Sequence, residues 1–433
     1  MLTWRPVALL AALAVTLPLW PSPLLGVLCS VAAVLALTTV DLVAAAPLSA
    51  VRLTRSGPTQ LRLGESAAVH LTVANRATRP LRAEVRDAWV PSAGAVGTVR
   101  RMTVPAGGAY TMASWLTPTR RGDRPAARVT VRSYGPLRFS YRQTTARRAD
   151  RITPQWTVRV LPPFRSRRYL PEKLARLRVL DGAVVVRGRG QGTEFDALRE
   201  YVPGDDVRSI DWRGTARRGG VVVRTWRPER DRRVLCVLDT GRTSAARIGD
   251  EPRLDTAMDA CLLLAALASR GGDRVDLLAV DTAVRAAVRG AGRAALLPRF
   301  ADALAPVQPS LVETDFELVT GEILRAERKR SLVVLFTALE RGALSEGLLP
   351  VLPALTARHT VVLAALHDPD VAAMAADRAD PYAAAAAERT LAERGRVRDA
   401  LSRNQVIVVD APADRYPSAV ADAYLELKAA GRL

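Results

Sequence analysis

Lysine is nearly absent from this 433-residue chain. Of its 63 basic residues only Lys173, Lys329 and Lys428 are lysines; the others are arginine. A formal charge of +20 would by itself suggest nucleic acid or an anionic membrane surface as partner. So one-sided a use of arginine beside abundant alanine is also what a coding bias leaves, and no nucleic-acid motif accompanies it. The three cysteines, Cys29, Cys236 and Cys261, make no disulfide framework and read as small buried hydrophobes. His70, His359 and His367 are the only histidines, and none falls in a zinc-ligand spacing. There is no G-x-x-x-x-G-K-[ST] loop, so any ATP chemistry would belong to a partner.

Charge is missing altogether from Pro6 to Val40. That run exceeds the ~20 residues of one crossing, and Pro18-Leu-Trp-Pro-Ser-Pro23 interrupts it with three helix-disfavouring prolines. Two short spans are expected, roughly 4–20 and 23–43, forming a transmembrane hairpin within 1–46. A secretory signal ending at Ala44-Ala-Ala46 competes, but the apolar region is far longer than a signal core. Arg5 before the first span and Arg52, Arg55 and Arg62 after the second place both ends in the cytoplasm. The expected location is the cell membrane, with two spans and cytoplasmic soluble domains.

Residues 50–162 read as all-β. Ala67–Val73 alternates apolar and polar positions, and similar segments recur at 81–90, 108–116, 127–134 and 157–161 between Gly/Pro breaks. This spacing suggests a small immunoglobulin-like sandwich, acting as a spacer or docking module. Residues 163–232 then read as a basic linker, with Arg165, Arg167 and Arg168, followed by a dense signature.

That signature runs from Gly192 to Arg217. Glu194, Asp205, Asp206 and Asp211 interleave with Arg199, Arg208, Arg213 and Arg217 around Phe195, Tyr201, Gly204 and Trp212. Thr193 is placed to cap a short helix to Tyr201, ended by Pro203, and Asp206 to cap a second. Residues 181–233 contain 12 arginines and 9 carboxylates, too balanced for a phosphate-binding stripe. The mixture suggests charge-assisted hydrogen bonds that either brace the fold or form a partner-recognition surface. The signature resembles that of the domain of unknown function 58 family, bacterial proteins associated with MoxR-type AAA+ ATPases. The resemblance covers about Val179 to the C-terminus. It implies a C-terminal domain similar to the von Willebrand factor A fold and an ATPase partner, but no known reaction.

From 233 to 433 apolar strands alternate with helices: strands at 234–239, 275–280, 331–337, 359–366 and 405–410, with helices at 254–269 and 417–430 among others. The pattern implies a Rossmann-type, mostly parallel sheet covered on both faces, with sites beyond the carboxyl ends of its strands. Asp239-Thr-Gly-Arg-Thr243 lies there and resembles the D-x-S-x-S core of a metal-ion-dependent adhesion site. By that resemblance Asp239, Thr243 and Thr314 would be the metal ligands, Mg²⁺ the candidate ion, and no other cofactor is implied. Gly241 replaces the first serine, and Ala338 stands where the downstream ligand is expected.

The leading expectation is a membrane-anchored adaptor that partners a MoxR-type ATPase in protein-complex or cell-envelope assembly or maturation. The alternatives are a metal-assisted hydrolase using Asp239 with signature carboxylates, and a basic membrane-bound nucleic-acid binder. No complete catalytic constellation is visible.

Overall fold

The computed structural model describes residues 1–187, 194–203, 205–227, 232–377 and 379–433. The chain divides into two compact units, Met1–Leu161 and Pro162–Leu433.

The first unit opens with α1 (Arg5–Ala14) and α2 (Pro23–Ala44), joined through a single 3₁₀ turn at Leu17–Leu19. One helix, beginning at Pro23, is long and apolar enough to cross a membrane. Ser22 caps it by accepting from Leu25 N, and Pro23 takes the first-turn position where its missing N–H costs nothing. The expected first span is not a full span. α1 extends about 15 Å, half of a bilayer's hydrocarbon core, because Pro18 leaves only a tight turn after it.

Ten strands follow: β1 (Val51–Ser56), β2 (Gln60–Arg62), β3 (Ala67–Asn75), β4 (Leu81–Trp89), β5 (Ala95–Val96), β6 (Val99–Val104), β7 (Ala109–Leu116), β8 (Gly122–Tyr134), β9 (Tyr141–Gln143) and β10 (Thr157–Leu161), with α3 (Ala146–Ile152) before the last. They form two sheets, β1-β3-β7-β5 and β2-β10-β8-β4-β6, with β9 on β8. Alternation sends Leu53, Leu71, Val73 and Met112 from one sheet, and Leu81, Val85, Met102 and Val131 from the other, into one core. The result is a β-sandwich. Arg55, one of the charges used to orient the chain, has its guanidinium in a fully buried ion pair with Asp87 between the sheets. Trp89 Nε1 and Ser114 Oγ each donate to Asp87 at 3.1 Å.

In the second unit the segment expected as a linker is structural. α4 (Leu170–Arg187) buries Leu170 and Leu177 in the main core, and Lys173 Nζ bonds both Asp422 oxygens at 2.9 Å. A two-stranded hairpin, β11 (Glu194–Glu200) with β12 (Val222–Arg227), encloses α5 (Trp212–Arg218).

Beyond it come β13 (Arg233–Asp239), α6 (Arg242–Ala245), the small pair β14 (Arg247–Ile248) and β15 (Glu251–Pro252), α7 (Arg253–Arg270), β16 (Arg274–Val280) and β17 (Val284–Val288). The chain continues through α8 (Leu296–Leu304), α9 (Phe316–Ala326), β18 (Leu332–Phe336), α10 (Leu349–Thr356), β19 (Thr360–His367), α11 (Pro369–Ala376), α12 (Pro381–Arg403), β20 (Ile407–Pro412) and α13 (Tyr416–Ala429). The sheet order is β17-β16-β13-β18-β19-β20. Five strands are parallel and only β17, an edge strand with no counterpart in the sequence reading, is antiparallel. Residues alternating along β13 reach opposite cores: Val234, Cys236 and Leu238 face one helical layer, Leu235 and Val237 the other. Cys236 and Cys261 are free and buried.

Candidate functional site

The winding reverses between β13 and β18, which is where an open α/β sheet leaves a crevice beyond its strand ends. Asp239 is the last residue of β13, and its carboxylate is buried there. Oδ1 accepts from Gly241 N at 2.8 Å and from Thr314 Oγ1. Oδ2 accepts from Thr243 Oγ1 at 3.3 Å and Thr337 Oγ1 at 2.6 Å. Ser244 Oγ donates to the Asp239 carbonyl at 2.6 Å. The structure brings Asp239, Thr243 and Thr314, the three residues named by the resemblance, together through hydrogen bonds to the Asp239 carboxylate. It adds Thr337, which sequence reasoning passed over in favour of its neighbour Ala338.

Gly241 is required rather than merely tolerated. A Cβ there would collide with Thr314 Oγ1 and approach Val312 O at 3.0 Å. The threonine from the distant loop fills the space that a serine side chain would take. Burial pushes the Asp239 carboxyl above its ordinary range, against the opposing pull of Thr314, Thr337, Gly241 and Thr243.

A second buried aspartate lies one strand away. Asp281, just after β16, accepts from Thr240 Oγ1 at 3.0 Å, Arg285 Nε at 2.8 Å and Ala283 N at 3.1 Å. Burial alone would raise it, but the Arg285 guanidinium, the Ser310 and Thr240 hydroxyls and the main-chain N–H of Ala283 together hold it well below the usual carboxylate range. Arg242 bridges to Glu313 at 2.7 Å, and Arg253 to Glu340 at 2.9 Å.

The donor set does not fit a resident Mg²⁺. A carboxylate offers about four lone-pair sites, and those of Asp239 already receive four hydrogen bonds. Mg²⁺ is ordinarily held by one or two carboxylates together with waters and substrate phosphates, whereas here a single buried carboxylate is held by hydroxyls that donate to it. Among the described residues no cluster of three or more His, Cys, Asp or Glu side chains is arranged to hold a metal.

The signature forms a different structure from the one expected. Gly192 and Gly204 lie outside the described residues. Glu194 and Phe195 begin strand β11, not a helix, and Phe195 pairs in register with Trp226. The local pattern allowed either form; a partner strand more than twenty residues downstream decides for the strand. Arg199 Nη1 bonds Asp205 Oδ2 at 2.7 Å as part of a two-pronged pair, and Val202 N donates to the same oxygen at 3.0 Å. Asp206 caps only a 3₁₀ turn, Val207–Ser209, through Arg208 N at 2.9 Å. Asp211 caps α5 through Gly214 N at 2.9 Å and binds Arg224 Nε at 2.8 Å. These two bonds lower the Asp211 carboxyl from its ordinary value, the Gly214 N–H first. Tyr201 N donates to Val221 O at 2.9 Å, continuing the hairpin ladder.

With those charges committed to one another, the apolar residues are left outside. Trp212 is 69% exposed, Val207 65% and Val202 56%. Arg208 and Arg217 are exposed as well, and among the described residues neither side chain has a hydrogen-bond or ion-pair partner.

Residues 197–399 match a family model described as protein of unknown function DUF58. Uncharacterized proteins of Mycobacterium tuberculosis (Rv1480) and Mycobacterium bovis (Mb1516) are 30% identical over 189 residues, 42% of this chain and 56% of theirs. The chain therefore spans about half the length of the curated relatives it matches. Among solved structures, the CARDB domain of the PF1109 protein of Pyrococcus furiosus overlays 26% of this chain and 87% of its own, at 12% identity and a TM-score of 0.20. The PKD domain of an M14-like peptidase from a Thermoplasmatales archaeon overlays 25% and 92%, at 11% identity and 0.16. Scores this low carry no argument about fold or function.

Proposed function

We propose that the protein is a membrane-anchored adaptor whose 194–227 hairpin docks a partner, by resemblance a MoxR-type AAA+ ATPase serving protein-complex or cell-envelope assembly or maturation. The observation that carries this reading is the exposed Trp212, Val207 and Val202 on a frame whose ion pairs are internal. Tryptophan and arginine are the residue types that dominate interface energies, and a rigid frame lowers the entropy lost on binding. Exposed apolar residues gathered in one short segment and rimmed by arginine are the kind of surface that marks an interaction site.

Other features support the same reading. The order of the main sheet, with its antiparallel edge, agrees with a von Willebrand factor A-type domain, a fold suited to presenting a binding face. The sandwich, read as immunoglobulin-like, serves as a spacer. α2 is the long apolar helix of the anchor, with the shorter α1 packed beside it. Among the described residues no observation favours the hydrolase alternative: Asp239 is hydrogen-bonded at both oxygens, and Asp205, Asp206 and Asp211 are committed to caps and ion pairs.

The test is affinity capture of the detergent-solubilised full-length protein with a non-hydrolysable ATP analogue, followed by mass spectrometry. A parallel capture uses Trp212→Ala/Val207→Ser. An AAA+ ATPase recovered by the wild type and lost from an equally stable variant is expected. An ATPase retained by the variant would remove the hairpin from the interface. Its absence in every nucleotide state would remove the partnership.

A further inference from the structure

The apolar N-terminal segment is tied to the β-sandwich at both ends, and by the same turn. At the end of α2 the buried Asp41 carboxylate accepts from Leu137 N at 2.7 Å, Phe139 N at 2.8 Å and Ser140 N at 3.0 Å. Gly135 is needed opposite it, since a Cβ there would run into the Asp41 carbonyl and carboxylate. Ahead of α1, Leu2 forms an antiparallel bridge with Ser140. Thr3 N donates to Phe139 O and Tyr141 N to Met1 O, both at 2.9 Å. Arg5 Nη1 reaches Leu137 O at 3.0 Å, and Arg79 Nη1 reaches Val43 O at 2.7 Å. The apolar segment therefore leaves and rejoins the sandwich at one place, the 135–140 turn between β8 and β9.

Two features of that place face outward. Leu137 is exposed, and the adjacent Arg138 holds φ at +57°, a left-handed conformation that a non-glycine residue adopts at a cost. The charge is also one-sided. Segments 1–50, 76–82 and 135–142 carry Arg5, Arg76, Arg79, Arg82, Arg138 and Arg142 against a single acid, the buried Asp41. Residues around the base of an apolar hairpin lie at headgroup level in a bilayer, where each arginine is drawn to anionic lipid.

We infer that the 135–140 turn, with Met1–Arg5 and Arg79, is seated on the membrane surface, and that Arg5, Arg79 and Arg138 hold anionic lipid headgroups there. The N-terminus and the sandwich then share one side of the membrane. This inference rests on the membrane-anchor reading above.

The test uses the full-length protein in nanodiscs of phosphatidylcholine with and without phosphatidylglycerol. A spin label on Leu137→Cys, in a Cys29→Ala background that leaves only the two buried cysteines, is expected to be relaxed by a nickel-chelating headgroup lipid. Anionic lipid retained through purification should fall severalfold in Arg5→Gln/Arg79→Gln/Arg138→Gly. Arg138→Gly by itself relieves the left-handed backbone, so that single variant should fold and still retain less anionic lipid. A label reached only by a water-soluble relaxant, or undiminished anionic lipid in the triple variant, overturns the inference if the protein stays in the pellet after an alkaline carbonate wash. Release of the wild type by that wash overturns the membrane reading itself.

Discussion

At Asp239 the balance between burial and hydrogen bonding leaves a carboxyl that titrates above its ordinary range. An acid whose folded pKa is raised favours the folded state in its protonated form. That contribution is fully present below the unfolded value, about 3.9, and is lost as pH rises through the folded value. Asp239→Asn should therefore flatten the pH dependence of stability on the acid side of neutrality. At pH 7 it should stay within about 1 kcal/mol of the wild type, because its amide can donate to the Thr243 and Thr337 hydroxyls. Thermal melts from pH 4 to 8 check both points. Thr337→Val removes a donor from a buried carboxylate and should cost about 1–3 kcal/mol, read as a lowered Tm. Added Mg²⁺ should leave the wild-type Tm unchanged, since the carboxylate has no free lone pair; a Mg²⁺-dependent rise abolished by Asp239→Asn would count against the saturated cage.

Among elements, the sandwich depends on a charged contact that its hydrophobic pattern does not announce. Arg55 on β1 and Asp87 on β4 are both fully buried, with the guanidinium 5.2 Å from the Trp89 ring centroid. Removing one partner strands the other charge, so Arg55→Met should destabilise the protein by about 3–5 kcal/mol. Replacing both, as Arg55→Met/Asp87→Leu, should recover much of that, measured by denaturant titration. Disrupting the exposed Arg159–Asp123 pair, 2.8 Å apart, should cost at most about 1 kcal/mol. The hairpin behaves like the second kind of contact. Its ion pairs are partly exposed, so Trp212→Ala/Val207→Ser should change stability little and show its effect in partner capture.

For the whole molecule, the proposed membrane location rests on α2. Much of its apolar surface is exposed, Leu24 at 72% and Leu35 at 61%, with α1 packed against only part of it. A single charge near the centre of a crossing helix raises the cost of insertion by about 2.5–3.5 kcal/mol. Leu35→Arg, near the middle of α2, should therefore shift full-length protein from the carbonate-resistant pellet toward the supernatant. Val43→Arg, at the helix end where a long side chain can reach the interface, should not.

Composition and periodicity by themselves determined much of this protein. A charge-free run, alternation in β3 and apolar strands from β13 onward each record a local requirement, and local requirements are legible residue by residue. Tertiary structure decided the rest. The hydroxyl of Thr314 reaches Asp239 across 75 residues and that of Thr337 across 98, and no short-range spacing encodes such a meeting. β11 became a strand because β12 pairs with it, and Leu170 and Leu177 became core because α7 and α13 offered α4 an apolar face. The reason is common to all three: a short amphipathic or charged stretch is compatible with several conformations, and its choice follows from which distant surface removes it from water.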